Sequence, residues 1–436
     1  MRPAVAMLAA GSLFGSRLAA QAPGHSRAER IRSLSDSSQS YAVQLPPRYD
    51  AATRLPLLIL MDPRGRAPIP LDCFSDAADR LGWILASSYD TRSDEPVDPN
   101  TTAVNAMLAD LPGRLAVDPK RIYLAGFSGT ARAAWPMAAE LRGHVAGVVS
   151  VGAGLPSGPA LLDQFRGDST FGIAGGAGYY DFNFFELRAL ADTLQRRGLT
   201  SDLHRYRDGH SWPTATDCAD ALWWLELLAM RTGLARRDTA LAGEGRSRTR
   251  READSLRAAG QVLEAVNRLR GLVRVLDGWI DVGPERDVLA GWTATAEYRR
   301  RAEAEARALA EEVAWLGLAG RAIEQVREDG GAVTSRRFLE ALQVDRLLRE
   351  AADSGGSERA LAAGRRVAWL FGQAAFYLPR EYLAAGKPRT AAEFLAVAAA
   401  LRPLGADACE LARQTRTASG APAAAPALRG CEPQDR

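Results

Sequence analysis

Arg121-Ile122-Tyr123-Leu124-Ala125-Gly126-Phe127-Ser128-Gly129-Thr130 runs a β-branched and aromatic stretch into a G-x-S turn, and Ala131-Arg132-Ala133-Ala134-Trp135 continues it as a helix. A strand that passes into a helix through so sharp a turn holds the serine in a strained backbone and lifts its hydroxyl clear of the sheet. Side chains two residues before and two after that serine collide unless they are small. Gly126 meets the first demand; Thr130 stands where a glycine is usual, with Gly129 beside it to relieve crowding. Five other G-x-S copies end at Ser26, Ser169, Ser211, Ser247 and Ser357, so the pattern alone selects nothing. Only Ser128 lies between a strand-like run and an amphipathic helix. The plain alternative for Ser128 is a helix N-cap in an ordinary strand-to-helix turn.

The same alternation extends outward from this turn. Strand-like runs are expected at Tyr41–Leu45, Leu55–Met61, Trp83–Ser88, Arg121–Ala125, Val145–Val151, Phe171–Ala174 and Ser201–Tyr206. Helical patterns fall between them at Leu71–Leu81, Thr101–Leu115, Gly129–Leu141, Phe184–Arg197 and Ala215–Met230. That order predicts an α/β fold, a doubly wound and mostly parallel sheet, over residues 36–233. After Arg231 the β-branched residues thin out and Ala, Leu, Arg and Glu dominate, which predicts an all-α domain over 243–418. The Arg-rich stretch Gly243–Arg251 reads as a linker or a first helix start, and 419–436 as a disordered tail.

At 436 residues the chain exceeds the size at which one core usually stops growing, which favours two domains. A net charge of +3 leaves no footprint for a nucleic-acid partner. The only lysines are Lys120 and Lys387, and neither has a motif around it for Schiff-base chemistry. Arg2, an apolar run from Ala4 to Phe14 and the small residues up to Ala22 read as a secretory signal peptide over 1–22, too short for a stable membrane span. A periplasmic or secreted protein is therefore expected, in which the four cysteines become disulfide candidates, Cys73 with Cys218 and Cys409 with Cys431 by domain.

A hydroxyl of ordinary acidity needs a base, and the base needs an acid to fix its tautomer. Of four histidines, His25 lies by the leader, His144 near a helix end and His204 inside a strand. His210, in Asp208-Gly209-His210-Ser211-Trp212-Pro213, occupies a polar loop after the last strand. Asp181 follows a run of glycines, Gly175-Gly176-Ala177-Gly178, at the end of the strand before that. A helix N-cap is the alternative for Asp181, and Asp208 is the reserve acid. Tyr179, Tyr180 and Trp212 flank these residues as candidate substrate-binding aromatics.

Residues Ser40–Met230 resemble the α/β-hydrolase superfamily, and within it compact bacterial esterases of the feruloyl-esterase and polyhydroxyalkanoate-depolymerase kind. The resemblance rests on Leu45-Pro46-Pro47-Arg48-Tyr49-Asp50, the turn at Ser128, Asp181-Phe182-Asn183, Gly209-His210 and the order Ser, Asp, His. It implies a serine esterase with Ser128 as nucleophile, His210 as base and Asp181 as its partner. It also implies an oxyanion hole from the Gly129 N–H and a second N–H in Met61-Asp62-Pro63-Arg64. The usual His-Gly is Asp62-Pro63 here and proline has no N–H, so Arg64 is the expected donor. The helices carrying Cys73 and Cys218 should share one face of the sheet, where a disulfide or two buried thiols would both fit.

The C-terminal half loosely resembles tetratricopeptide-like hairpins, through Gly260 followed by Ala265 and Gly386 followed by Ala391; an irregular bundle is the other possibility. No metal or other cofactor is expected, since the histidines are dispersed and no phosphate-binding loop is present. The expected partners are a small-molecule or polymeric ester and, through the helical domain, a protein. Two further functions fit the same residues: a catalytically degenerate scaffold, altered at Thr130, that serves as a binding protein, and a serine peptidase.

Overall fold

The computed structural model describes residues 30–93, 98–353, 357–420 and 428–431. The leader, His25 and most of the tail lie outside them. Eight strands, β1 (Arg30–Arg32), β2 (Ser40–Gln44), β3 (Leu55–Met61), β4 (Ile84–Ser88), β5 (Val117–Phe127), β6 (Val145–Val151), β7 (Gly172–Gly178) and β8 (Ser201–Tyr206), form one sheet in the order β1-β2-β4-β3-β5-β6-β7-β8. Pairing is antiparallel at β1/β2 and β2/β4 and parallel elsewhere. The helices α1 (Pro68–Leu81), α2 (Asn100–Arg114), α3 (Gly129–Glu140) and α4 (Phe184–Arg197) are crossovers, and α5 (Ala215–Thr232) follows the last strand. This is the α/β-hydrolase fold.

Period-two side chains split each central strand between two cores, as a sheet buried on both faces requires. Leu57, Ile59, Ile122, Leu124, Val148 and Ile173 pack with α2, α3 and α4. Leu58, Leu60, Tyr123, Ala125, Val149 and Ala174 pack with α1 and α5. Enclosing each Leu, Ile or Val in this way contributes about 1.5–3 kcal/mol. Because α1 and α5 share a face, Cys73 and Cys218 meet, with Cα atoms 5.8 Å apart, and form a disulfide.

The helical half begins with α6 (Thr239–Ala258), α7 (Val262–Leu276), α8 (Gly283–Thr293) and α9 (Ala296–Glu328). It continues with α10 (Ser335–Ala341), α11 (Val344–Ala351), α12 (Glu358–Gly372), a π-helical turn over 373–377, α13 (Leu378–Ala384), α14 (Pro388–Leu401) and α15 (Ala406–Ser419). Gly243–Arg251 is the interior of α6, whose start is capped by Asp238 accepting from Ala240 and Leu241 N–H. Gly260 and Gly386 both end helical segments with positive φ, and Ala265 and Ala391 are fully buried. The helices nevertheless have no fixed length, with 33 residues in α9 against 7 in α10 and in α13.

Packing does not break where the α/β segment ends. Ala242 and Ala253 of α6 and Leu269, Leu272 and Leu276 of α7 belong to the same apolar cluster as Leu222, Leu225 and Leu228 of α5. α7 also lies along β8, where Asn267 Nδ2 donates to Leu203 O at 2.9 Å and Arg274 donates to Ser201 O. Side-chain donors thus satisfy carbonyls that an edge strand would leave bare. A separate core joins the end of α9 to α10–α15, and Cys409–Cys431 closes a disulfide at its margin. No described helix is long and apolar enough to cross a membrane.

Candidate active site

Ser128 occupies the junction of β5 and α3 with φ 56° and ψ −123°. Among the described residues only Ser128 and Gln343 have positive φ without being glycine. Such a conformation costs on the order of 1–3 kcal/mol and persists only where its surroundings impose it. Here Ser128 N–H donates to Val151 O at 2.9 Å, and Gly126 lets the chain fold back: a Cβ there would lie 2.4 Å from Thr130 O and 2.5 Å from Ala131 N. Thr130 is accommodated because its hydroxyl turns inward. It donates toward Met61 O (2.7 Å) or Phe127 O (2.8 Å) and accepts from Phe127 N–H (3.1 Å), tying the ends of β3 and β5 together. Ser128 stands at the N-cap position of α3 but makes no side-chain capping bond there. Its Oγ instead lies 2.9 Å from His210 Nε2.

His210 is on the loop between β8 and α5, its ring held between Phe127 and Phe182 at centroid distances of 4.6 and 4.1 Å. Its Nδ1 lies 2.9 Å from Asp181 Oδ1. Since a carboxylate can only accept, Nδ1 carries the proton and Nε2 presents its lone pair to the serine hydroxyl. Asp181 is fully buried, and the same Oδ1 accepts from Asn183 N–H at 2.8 Å. Burial pushes its carboxyl above the ordinary range, opposed by the hydrogen bond and charge of His210 and by the Asn183 amide. The helix cap of α4 is Asn183, so Asp181 is not the N-cap. Asp208 is exposed and accepts from Gly209 N–H and Ser211 Oγ, leaving it no part in the His210 contact.

The acid and base loops are also joined through backbone. Tyr180 N–H donates to Asp208 O at 2.9 Å and Tyr179 N–H to Tyr206 O at 2.8 Å. Gly178 permits this approach, since a Cβ there would lie 2.2 Å from Asp208 O.

Two expected roles are corrected. Arg64 is not a free oxyanion donor: its N–H donates to Asp62 Oδ1 at 2.9 Å, and its exposed guanidinium pairs with Asp407 of α15 at 3.1 Å. Trp212 does not line an open subsite. It is buried against Phe74 and Phe127 and donates Nε1–H to Asp62 Oδ2 at 2.9 Å. Tyr179 is half-buried, stacked on Phe184 and under Arg205, while Tyr180 is 52% exposed. Both tyrosines line a cleft of about 270 Å³ against the α6–α7 turn, α9 and α12.

Asp62 explains both corrections. Burial alone would raise its carboxyl, but donors from Arg66, Trp212 and the amides of Arg64 and Arg66 outweigh that and hold it below the usual range. The loop after β3 is therefore wound around a buried anion. The remaining candidate donor, the Gly129 N–H, sits in the first turn of α3 with no acceptor among the described residues, under the side chain of Ser93. Phe127, Phe182 and Ser93 escaped the sequence reading; only adjacency to Ser128 and Asp181 could have flagged the first two. Elsewhere Asp217, Asp220 and Glu252 converge, but Arg248 and Arg268 already pair within that cluster.

No family model matches this chain, and no curated protein sequence does. Among solved structures it is similar to a ferulic acid esterase, at 14% identity and a TM-score of 0.37 over 46% of this chain and 96% of that one. It is similar to an S-formylglutathione hydrolase from Staphylococcus aureus, at 14% identity and a TM-score of 0.37 over 46% and 95% of the two chains. Esterase 2 of Thermogutta terrifontis, phosphonylated by sarin, is similar at 13% identity and a TM-score of 0.36 over 50% and 99%.

Proposed function

We propose that this protein is a serine hydrolase that cleaves carboxylic esters through an acyl-enzyme. One observation carries the reading: a single imidazole spans 2.9 Å contacts to a strained serine hydroxyl on one side and to a buried carboxylate on the other. Ser128 Oγ attacks the ester carbonyl while His210 Nε2 takes its proton, and Asp181 keeps the ring oriented and stabilises its charged form. The Gly129 N–H, aided by the positive end of α3, faces the developing oxyanion. His210 then returns the proton to the departing alcohol, and a water activated by the same nitrogen releases the acid.

Thr130 supports this reading over a degenerate scaffold, because its hydroxyl replaces the missing glycine's openness with bonds that brace the turn. The two disulfides favour an oxidising compartment, periplasmic or extracellular. Turnover of a short-chain nitrophenyl ester, paired with fluorophosphonate labelling, tests the assignment. Ser128→Ala should lower kcat by about 10⁴-fold or more and abolish the label. Folded wild-type protein that neither turns over the ester nor takes up the label would refute it.

A further inference from the structure

We propose that Arg365, on α12 of the helical half, is a positioning residue for the acid–base pair; the inference rests on the serine-hydrolase reading. Its side chain is 3% exposed and grips Glu312 of α9, itself 2% exposed, with Nε 3.0 Å from both carboxylate oxygens and Nη2 2.6 Å from Oε2. A pair that only held α9 to α12 would be complete there. Arg365 goes further: Nη1 donates to Tyr179 O at 3.2 Å, and the guanidinium lies 4.2 Å from the ring centroid of Phe184. Tyr179 and Phe184 bracket the turn that carries Asp181. One planar cation therefore touches both ends of the acid loop, using donors that a compact ammonium could not direct to all three partners at once.

The loop's other anchors all run within the sheet, to the strands on either side of β7. Its N–H groups at 179 and 180 bond to the end of β8 and to the base loop, and Asn183 bonds to Gly152 O at the end of β6. α12 adds the contact from outside the sheet, where Gly364 also lies against Tyr180. Glu312 keeps Arg365 neutralised while it is buried, so that the cation can hold a carbonyl near the triad without leaving an unpaired charge. The helical half thereby becomes part of the catalytic geometry, through a residue that meets neither the ester nor the serine.

The test uses the full chain and compares Arg365→Met, Arg365→Lys and the double variant Glu312→Leu/Arg365→Met by nitrophenyl-ester kinetics, fluorophosphonate labelling rate and thermal melting. Arg365→Met should lower kcat and the labelling rate together by roughly 10- to 100-fold, as a displacement of about 1 Å does, while KM changes by less than about twofold. Arg365→Lys should recover part of kcat. The double variant, which restores an uncharged α9–α12 contact, should regain the wild-type melting temperature but not kcat. Recovery of kcat in the double variant, or a lowered melting temperature with unchanged kcat in Arg365→Met, overturns the proposal. The downfield proton resonance of His210 Nδ1–H gives a readout independent of turnover: it should broaden or move in Arg365→Met. Its persistence unchanged overturns the positioning role even if the wild-type protein proves unable to cleave esters.

Discussion

His204 and His210 lie six residues apart, both beside carboxylates, and are placed in opposite surroundings. His204, within β8, is buried with Nε2 2.8 Å from Asp202 Oδ2 and Nδ1 3.4 Å from Glu264 Oε1. Burial pushes its pKa down, as does Arg268, but the charge and hydrogen bond of Asp202 and the contact to Glu264 prevail and raise it to about 9. Nε2 is bonded to Asp202 and Nδ1 faces Glu264 without a hydrogen bond, so neither nitrogen faces a group that can lose a proton. His210 gives one nitrogen to Asp181 and the other to a hydroxyl, in an aromatic slot that leaves its side chain 20% exposed. An acidic neighbour alone does not make a base; the second nitrogen must face something that can lose a proton. The layer behind β8 holds α7 and α9 on the sheet, and the rim in front carries the proton transfer that we propose.

The largest effect that would break this contrast is expected at the acid. Asp181→Asn should lower kcat about 10⁴-fold by stabilising the wrong tautomer, with the fold kept. Asp208→Asn should leave it within about twofold, because the Asp208 carboxylate bonds only within its own loop and the backbone bond from Tyr180 is kept. Ester kinetics on the two variants decide between the candidate acids.

A smaller change belongs to His204. His204→Gln should cost on the order of 3 kcal/mol in denaturant unfolding, by leaving Asp202 and Glu264 without their shared cation, while kcat per folded molecule holds. The sign of the pH dependence follows from the raised pKa. The unfolded imidazole titrates near 6.5, so the contribution of His204 is full below that pH and is lost as pH rises through about 9. Wild-type stability should therefore decline over that interval and the variant should be flatter; parallel curves would show that His204 is not the group responsible.

The smallest expected effect sharpens the account of the turn. Thr130→Val keeps the shape but strips the hydroxyl from Met61 O and Phe127 O, and should cost about 1–3 kcal/mol of stability. A neutral result in thermal unfolding would mean that Thr130 fills space and braces nothing.

Much of the sheet was legible because its signals are local. Leu55–Met61, Val145–Val151, Ser201–Tyr206 and Phe184–Arg197 form over the spans that apolar runs and flanking turn residues indicate. β1 carries no such signal. Arg30–Arg32 has no buried side chain, and pairing with β2 makes it a strand. β7 runs past Ala174 because Gly175–Gly178, which resemble a turn in isolation, are the residues that fit closely between β6 and β8.

By itself the sequence determined the order of the strands and helices from β2 to α5 and the three side chains of the candidate triad, because strand period, helix period and turn chemistry act over a few residues. Only the tertiary structure decided the rest. Trp212 meets Asp62 across 150 residues of chain, which takes one from the substrate and the Arg64 amide from the oxyanion. Arg365 reaches Tyr179 across 186, and joins a helical half to the loop that carries Asp181. Such contacts depend on which buried polar groups find one another when the cores close, and no local pattern records that choice.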